Sequence, residues 1–191
     1  MGWLRVELNA RSWELVTTAA PVHEMDALEI SGGRWRTAGF RSYKSAFIDE
    51  LNIDEAPLPD QFDIVLAEQV WEHLRYPYRA ARNVLQMLRP GGYFYLSVPF
   101  LVRRHDDPID CTRWTDTGLK YFLEEAGFAP ESIRTFSWGN LPVVVANLSQ
   151  WTPYDPSHNA VHRLENDPLF PVQVWGLAQK PPSSPSLIET A

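Results

Sequence analysis

Two apolar segments joined by an amphipathic one restrict the fold of this chain more than any other feature. Residues 62–67 and 93–98 are continuous apolar runs, which is typical of strands buried on both faces of a parallel sheet. Between them, residues 78–88 place an apolar face at helical spacing, formed by Ala81, Val84, Leu85 and Leu88. Pro90 and two glycines then stop the helix. A strand, a helix and a second parallel strand form one crossover unit, so the segment predicts an α/β fold.

The flanking segments continue this alternation. The other predicted elements are, in chain order, a helix over residues 11–20, strands over 27–30, 42–48 and 50–53, a helix between Thr115 and Gly127, and strands over 132–138 and 170–178. Thr115 is the predicted N-cap of the later helix and Gly127 its C-terminal cap. Residues 141–151 fit a helix or a strand equally. In such folds the ligand site lies at the carboxyl ends of the strands.

The length of the chain favours one domain. With 191 residues, of which 45% are apolar, the chain can bury one full core but is too short for two ordinary domains and a linker. We assign residues 1–180 to this domain. Residues 181–191 are polar and rich in proline, and we expect this tail to be disordered.

The net charge and the single cysteine limit which partners and which cellular location are expected. A net charge of −7 without a Lys/Arg stripe argues against nucleic acid. The first residues contain no long apolar stretch, so neither a signal peptide nor a membrane span is expected. The single cysteine, Cys111, excludes an internal disulfide and fits a reducing, cytoplasmic location. Eight tryptophans suit an oligomer contact as well as a pocket, so a homodimer is left open.

Residues 62–100 carry the clearest family signal. The segment reads FDIVLAEQVWEHLRYPYRAARNVLQMLRPGGYFYLSVPF, with a strand, a Glu-His pair, a proline, a helix and an Arg-Pro-Gly-Gly turn in that order. It resembles the type 11 family of class I S-adenosylmethionine-dependent methyltransferases, and the resemblance extends over residues 27–138. The resemblance implies a Rossmann-like fold with a mostly parallel central sheet and helices on both faces. It also implies S-adenosylmethionine as methyl donor and S-adenosylhomocysteine as product.

The segment Glu29-Ile30-Ser31-Gly32-Gly33 resembles the first motif of that family, an acidic strand end followed by a glycine-rich turn. Such a turn lets the donor approach the backbone and offers N–H groups to its carboxylate. For the ribose, the candidates Ser45, Asp49 and Glu50 follow the next strand. By this resemblance the predicted donor-binding residues are Glu29, Ser31, Gly32, Gly33, Ser45, Asp49, Asn52, Ile53, Ala67, Glu68 and Gln69.

One stretch departs from the family pattern. Fewer than thirty residues separate Gly33 from Phe62, where the family usually fits two helices and two strands. We therefore expect a compact form of the fold, shortened between the first strand and the strand at residues 62–67. Bulky Arg34 and Trp35 also follow the glycine turn. A degenerate donor site in a non-catalytic binding or scaffold protein is accordingly an alternative.

Candidate catalytic residues follow two strands of the predicted sheet. His73 comes shortly after the strand at residues 62–67, and His105, Asp110 and Arg113 follow the strand at residues 93–98. The carboxyl ends of parallel strands share one edge, so these side chains are expected at the same cleft. We predict His105 or His73 as general base. Asp110 and Arg113 are predicted to contact the acceptor, the alternative being a pair that pins the loop.

The predicted function is methyl transfer to an oxygen or nitrogen atom of a small-molecule acceptor, as in a biosynthetic step. Besides the non-catalytic protein, a donor-dependent cyclisation or rearrangement enzyme is a second alternative. No metal is expected, because the spacing of Asp106, Asp107 and Asp110 near His105 matches no dedicated calcium or magnesium loop.

Overall fold

A six-stranded sheet forms the centre of the protein. The computed structural model describes residues 2–158 and 160–182. The strands are β1 (Asp26–Ile30), β2 (Ser42–Ala46), β3 (Phe62–Glu68), β4 (Leu88–Pro99), β5 (Arg134–Trp138) and β6 (Gln173–Gln179). Their order in the sheet is β2-β1-β3-β4-β6-β5. The first four strands are mutually parallel, whereas β6 runs antiparallel to both β4 and β5.

Helices cover both faces of this sheet. They are α1 (Val6–Ala19), α2 (Pro77–Met87), α3 (Asp116–Ala126) and α4 (Leu141–Asn147). One buried cluster joins α2 and α3 to the strands, and a second joins α1 and α4 to the opposite face. Successive residues of a strand alternate between the clusters: Leu28 belongs to the first and Ala27 to the second. The predicted α/β fold, mostly parallel with helices on both faces, is confirmed.

The predicted caps of α3 are both present. The Thr115 hydroxyl accepts a hydrogen bond from the Gly118 N–H at 3.0 Å, which satisfies an otherwise free amide of the first turn. Gly127 has φ +111°, the left-handed conformation that glycine adopts without strain. Residues 141–151, which fitted a helix or a strand, contain the short helix α4.

Several predicted boundaries are wrong. The strand predicted at residues 50–53 is absent from the described chain; this segment is a loop whose Leu51 and Ile53 pack into the core. The Asn83 amide donates to the Ile53 carbonyl at 2.8 Å, so that carbonyl needs no partner strand. Helix α1 begins at Val6, five residues before the predicted start, and β6 begins at Gln173. The Arg-Pro-Gly-Gly segment, predicted as a turn, lies within β4 as an irregularity, because β4 pairs with β3 at Leu88 and again from Tyr93.

The expected shortening lies where the sequence placed it. Between β1 and β3 the chain forms a single turn of 3-10 helix (Arg34–Thr37), the strand β2 and the loop that follows it. In the strand order of the sheet, β2 lies at one edge. Most of the predicted tail, residues 183–191, lies outside the described residues. No helix within residues 2–158 and 160–182 is long and apolar enough to cross a membrane.

Candidate active site

Three cavities open where the parallel strands end. β1 ends at Ile30, β3 at Glu68 and β4 at Pro99, all at one edge of the sheet. The first cavity, here called the glycine-turn pocket, has a volume of about 250 Å³. Its lining comprises Arg5, Asn9, Glu29, Ser31, Gly32, Gly33, Arg34 and Glu68.

Two larger cavities adjoin the glycine-turn pocket. The loop pocket, of about 620 Å³, is lined by Ser31, the loop after β2, the segment after β3 and Ile109. The histidine pocket, of about 310 Å³, includes Arg5, Gln69, Pro99, His105, Trp151 and Gln173. Ser31 lines the first two cavities, Gln69 the loop and histidine pockets, and Arg5 the glycine-turn and histidine pockets. The three cavities thus adjoin one another, and together they are here called the cleft.

Glu29 organises the turn after β1. Its buried carboxylate accepts hydrogen bonds from the backbone N–H of Arg34 at 3.1 Å and of Trp35 at 2.9 Å. The Tyr43 hydroxyl of β2 donates a third bond to the same carboxylate. Charge-assisted bonds of this kind are about twice as strong as neutral ones. Glu29 lines the pocket, as predicted, and it also fixes the path of the chain into the 3-10 turn.

Gly32 is required by Glu29 itself. A Cβ atom at position 32 would lie 2.2 Å from Glu29 Oε1, closer than atoms can approach. At Gly33 a Cβ atom would meet no heavy atom within 4 Å. Ser31 occupies the left-handed region with φ +55°, a conformation in which glycine is usual. Only one of the two glycines is therefore sterically essential to the turn.

A pair of opposite charges lies across the glycine-turn pocket. The Arg34 guanidinium donates to Glu68 Oε1, and Arg5 Nη1 lies 3.7 Å from Glu68 Oε2. Burial raises the pKa of Glu68 although both arginines oppose this shift. Trp35, in contrast, is buried in the core and stacks on Trp13. The bulky residues after the turn therefore leave the pocket open.

Not every predicted donor residue lines the cleft. Ser45 donates its hydroxyl hydrogen bond to the Gly32 carbonyl and so supports the turn from β2. Asp49 is exposed outside the cavities, while Ile53 and Ala67 are buried in the core. The remaining predictions, Glu29, Ser31, Gly32, Gly33, Asn52, Glu68 and Gln69, all line one or more cavities.

Glu72, His73 and His105 converge beside the loop and histidine pockets. The rings of His73 and His105 meet edge to face, with centroids 5.2 Å apart, and His73 Nε2 lies 3.8 Å from Glu72 Oε1. Burial raises the pKa of Glu72 to about 7, and burial lowers the pKa of His105. The two predicted histidines are thus brought together with a carboxylate that the sequence reading had not given a role.

Asp110 and Arg113 form a fork-shaped ion pair. Both terminal nitrogens of Arg113 donate to the two carboxylate oxygens of Asp110. Asp110 also accepts a bond from the backbone N–H of His105 at 2.9 Å. Burial would raise the pKa of Asp110, but the bonds from Arg113 and His105 outweigh it and keep this pKa below its usual range. This geometry favours the alternative in which the pair pins the loop.

Sequence reasoning missed the contribution of distant segments. Arg5 and Asn9 come from the N-terminal helical region, and Trp151 and Gln173 from the other end of the chain. Gln69 has a backbone φ of +56°, and its side-chain amide donates a hydrogen bond to Gln173 Oε1 at 2.9 Å. This bond links β6 to the cleft. No local motif marks these residues. Only the positive charges of Arg34, directly after the glycine turn, and of Arg5 could have indicated from sequence an anion-binding role here.

Comparisons with known proteins agree with this architecture. Residues 11–96 match the family model of the methyltransferase domain, and no curated protein sequence matches the chain. An S-adenosylmethionine-dependent methyltransferase from Mesorhizobium loti is 16% identical, with a TM-score of 0.59 over 88% of this chain and 97% of that one. A Thermotoga maritima protein described as a possible histamine N-methyltransferase is also 16% identical, with a TM-score of 0.55 over 88% and 87%.

A third similar structure has a different activity. The cyclase SpnF is 17% identical, with a TM-score of 0.50 over 90% of this chain and 81% of that one. At such identities these likenesses establish the fold, and activity varies among proteins that share it. Together, the family match over residues 11–96 and the shared fold support a class I S-adenosylmethionine-dependent methyltransferase, with S-adenosylmethionine as its cofactor.

Proposed function

We propose that this protein transfers the methyl group of S-adenosylmethionine to an oxygen or nitrogen atom of a small polar molecule. The observation that carries the proposal is that the three cavities adjoin one another, since Ser31, Gln69 and Arg5 each line two of them. One ligand placed in the glycine-turn and loop pockets would present its centre to a second ligand in the histidine pocket. This is the arrangement that methyl transfer needs.

The charges of the glycine-turn pocket suit the methionine part of the donor. That part carries a carboxylate and an ammonium group, and the pocket offers Arg5 and Arg34 beside Glu68. The arginines would bind the carboxylate and Glu68 the ammonium group. Arg34 and Trp35 therefore do not argue for a degenerate site.

The loop pocket suits the adenosine part. It combines the apolar side chains of Ile48, Val70 and Leu74 with polar groups of the loop after β2. Asp54 already accepts bonds from the backbone N–H groups of residues 75 and 76. We therefore assign the ribose hydroxyls to Asn52 and Glu55 rather than to Ser45, Asp49 or Glu50.

The histidine pocket suits a small acceptor. Its volume of about 310 Å³ is at the lower end of small-molecule sites, and Pro99, Val102 and Trp151 give it an apolar wall. Gln69 and His105 supply polar contacts. A similar fold in the protein described as a possible histamine N-methyltransferase is consistent with an acceptor of this size.

The chemistry requires alignment and one proton acceptor. The S–CH₃ bond of the sulfonium breaks as the new O–CH₃ or N–CH₃ bond forms in line with it, and S-adenosylhomocysteine leaves. The proton of the acceptor passes to the cluster of Glu72, His73 and His105, in which burial raises the pKa of Glu72 to about 7. Asp110 and Arg113 are positioning residues, since they hold the loop that carries His105.

Donor titration tests the proposal. Calorimetry with S-adenosylmethionine should show one site per chain, and Arg5→Ala should weaken it at least about tenfold, as expected for a lost charged hydrogen bond. Arg82→Ala is the matched control, because Arg82 is exposed on α2 outside the cleft. Release of S-adenosylhomocysteine with a panel of small alcohols, phenols and amines then identifies the acceptor class. A folded sample that binds neither S-adenosylmethionine nor S-adenosylhomocysteine would refute the proposed methyltransferase activity.

A further inference from the structure

The buried carboxylate of Glu72 accepts no hydrogen bond from any other described residue. Its side chain is 0% exposed, and neither carboxylate oxygen has a hydrogen-bond partner on another described residue. His105 Nδ1 is also buried without a hydrogen bond, and lies 3.5 Å from Asp110 Oδ2. A buried polar atom without a hydrogen bond destabilises the fold unless something satisfies it, and a bound ion is one of the few groups that satisfies several at once.

We propose that Glu72, His73 and His105 bind a divalent transition-metal cation, with one coordination position left for the acceptor. Each residue offers one ligand atom, and these atoms all lie within 4.8 Å of one another. Two ligands of a tetrahedral ion lie about 3.4 Å apart when each bond is about 2.1 Å long. The observed 3.8 Å between His73 Nε2 and Glu72 Oε1 is close to that value. A side-chain movement of about 1 Å closes the site.

The surroundings hold the three ligands in place. His73 Nδ1 faces the Ile109 carbonyl, so it carries the proton and leaves Nε2 with a free lone pair. Metal-binding histidines usually have this partner on the second ring nitrogen. The Glu72 carbonyl accepts bonds from Cys111 N–H at 2.7 Å and Thr112 N–H at 3.3 Å. These bonds tie the segment after β3 to the loop that carries His105.

The donor set selects the class of metal. Two imidazoles and one carboxylate favour Zn²⁺, Fe²⁺, Co²⁺ or Mn²⁺, whereas Mg²⁺ and Ca²⁺ prefer oxygen ligands alone. Three protein ligands and one open position are the pattern of catalytic zinc sites.

The position of the site suggests its role, which rests on the proposed function. His73 lines the loop pocket and His105 the histidine pocket, so the cation would lie between donor and acceptor. An acceptor hydroxyl bound there would lose its proton more readily, because the cation would stabilise the oxyanion, and solvent would then take the proton in place of the three ligands. The sequence pattern considered for a metal, that of Asp106, Asp107 and Asp110, does not predict this site.

The test is metal binding by the intact protein after treatment with a chelator. Co²⁺ titration followed by visible absorption should show one tight site per chain, and Zn²⁺ should displace the Co²⁺. Glu72→Gln and His105→Ala should each weaken Co²⁺ binding at least about tenfold, the scale of losing one ligand contact. His158→Ala is the control, since His158 belongs to an exposed pair with Asp155. Millimolar Mg²⁺ should not displace Co²⁺.

The outcomes separate the site from the proposed function. Glu72→Gln keeps the volume of the side chain, so it carries the test if His105→Ala does not fold. Co²⁺ binding that is absent in the parent, or unchanged in Glu72→Gln, overturns the metal site. Donor titration in parallel reports on the function: a chain that binds Co²⁺ through Glu72 but no S-adenosylmethionine keeps the site and loses the proposed methyl transfer.

Discussion

Replacing Gly32 with alanine should destabilise the protein through Glu29. The new Cβ would lie 2.2 Å from Glu29 Oε1, so the carboxylate must move. It then loses at least the bond from the Arg34 N–H and at most all three of its bonds. At about 1.5–3 kcal/mol for each bond to a charged group, less about 0.5–1 kcal/mol gained from a stiffer unfolded chain, loss of the one bond alone costs about 0.5–2.5 kcal/mol, and loss of the other two adds to this.

Thermal and urea unfolding measure this loss. A loss of 1 kcal/mol shifts the melting temperature of a chain of this size by about 2–4 °C, so losing the one bond alone should make Gly32→Ala melt about 1–10 °C below the parent. Gly33→Ala is the matched control, because a Cβ atom there meets nothing within 4 Å. It should cost less than about 1 kcal/mol.

Comparing the two alanine variants tests whether Glu29 holds the turn after β1. Equal melting temperatures for Gly32→Ala and the parent would show that Glu29 does not hold the turn as described. A loss of the same size in Gly33→Ala would show that both glycines serve the backbone conformation instead. Donor affinity is read separately, since both glycines line the glycine-turn pocket.

Three further substitutions probe other parts of the fold. Tyr43→Phe removes the hydroxyl that donates to Glu29, and urea unfolding should show a loss of about 1.5–3 kcal/mol. Leu88→Asp buries an unpaired charge at a fully buried position, and near-ultraviolet circular dichroism should show loss of the folded state. The hydrogen bond from Arg41 lowers the pKa of Asp26, so the stability that Asp26 contributes is present above about pH 4 and lost as the pH falls further. Urea unfolding of Asp26→Asn should therefore differ from the parent at pH 7 and converge with it in acid.

Local patterns were sufficient to predict most of the sheet and its helices. β1, β3, α2 and α3 each carry their own signal, an apolar run or an apolar face with caps, and all four lie where that signal placed them within a few residues. The prediction of a strand at residues 50–53 was wrong because this segment buries its apolar side chains while its backbone forms a loop. Periodicity reports that a residue is buried, and it does not report whether a neighbouring strand pairs with it.

The candidate site could be predicted only where it adjoins a strand end. Ser31, Glu68 and Gln69 directly follow or end β1 and β3, and all three line the cleft. Arg5 and Gln173 reach the same cleft from segments far apart in sequence, so no motif connects them. The role of Glu72 depends on three-dimensional burial, which a sequence does not display for a charged residue.

The position of β6 has a consequence for how the chain folds during synthesis. β6 lies between β4 and β5, although residues 173–179 come after both in sequence. Until these residues leave the ribosome, β4 has an open edge and β5 has no strand to pair with. An open apolar edge invites pairing with another chain. The nascent protein is thus most prone to aggregation just before its sheet closes, when nearly the whole domain has been made.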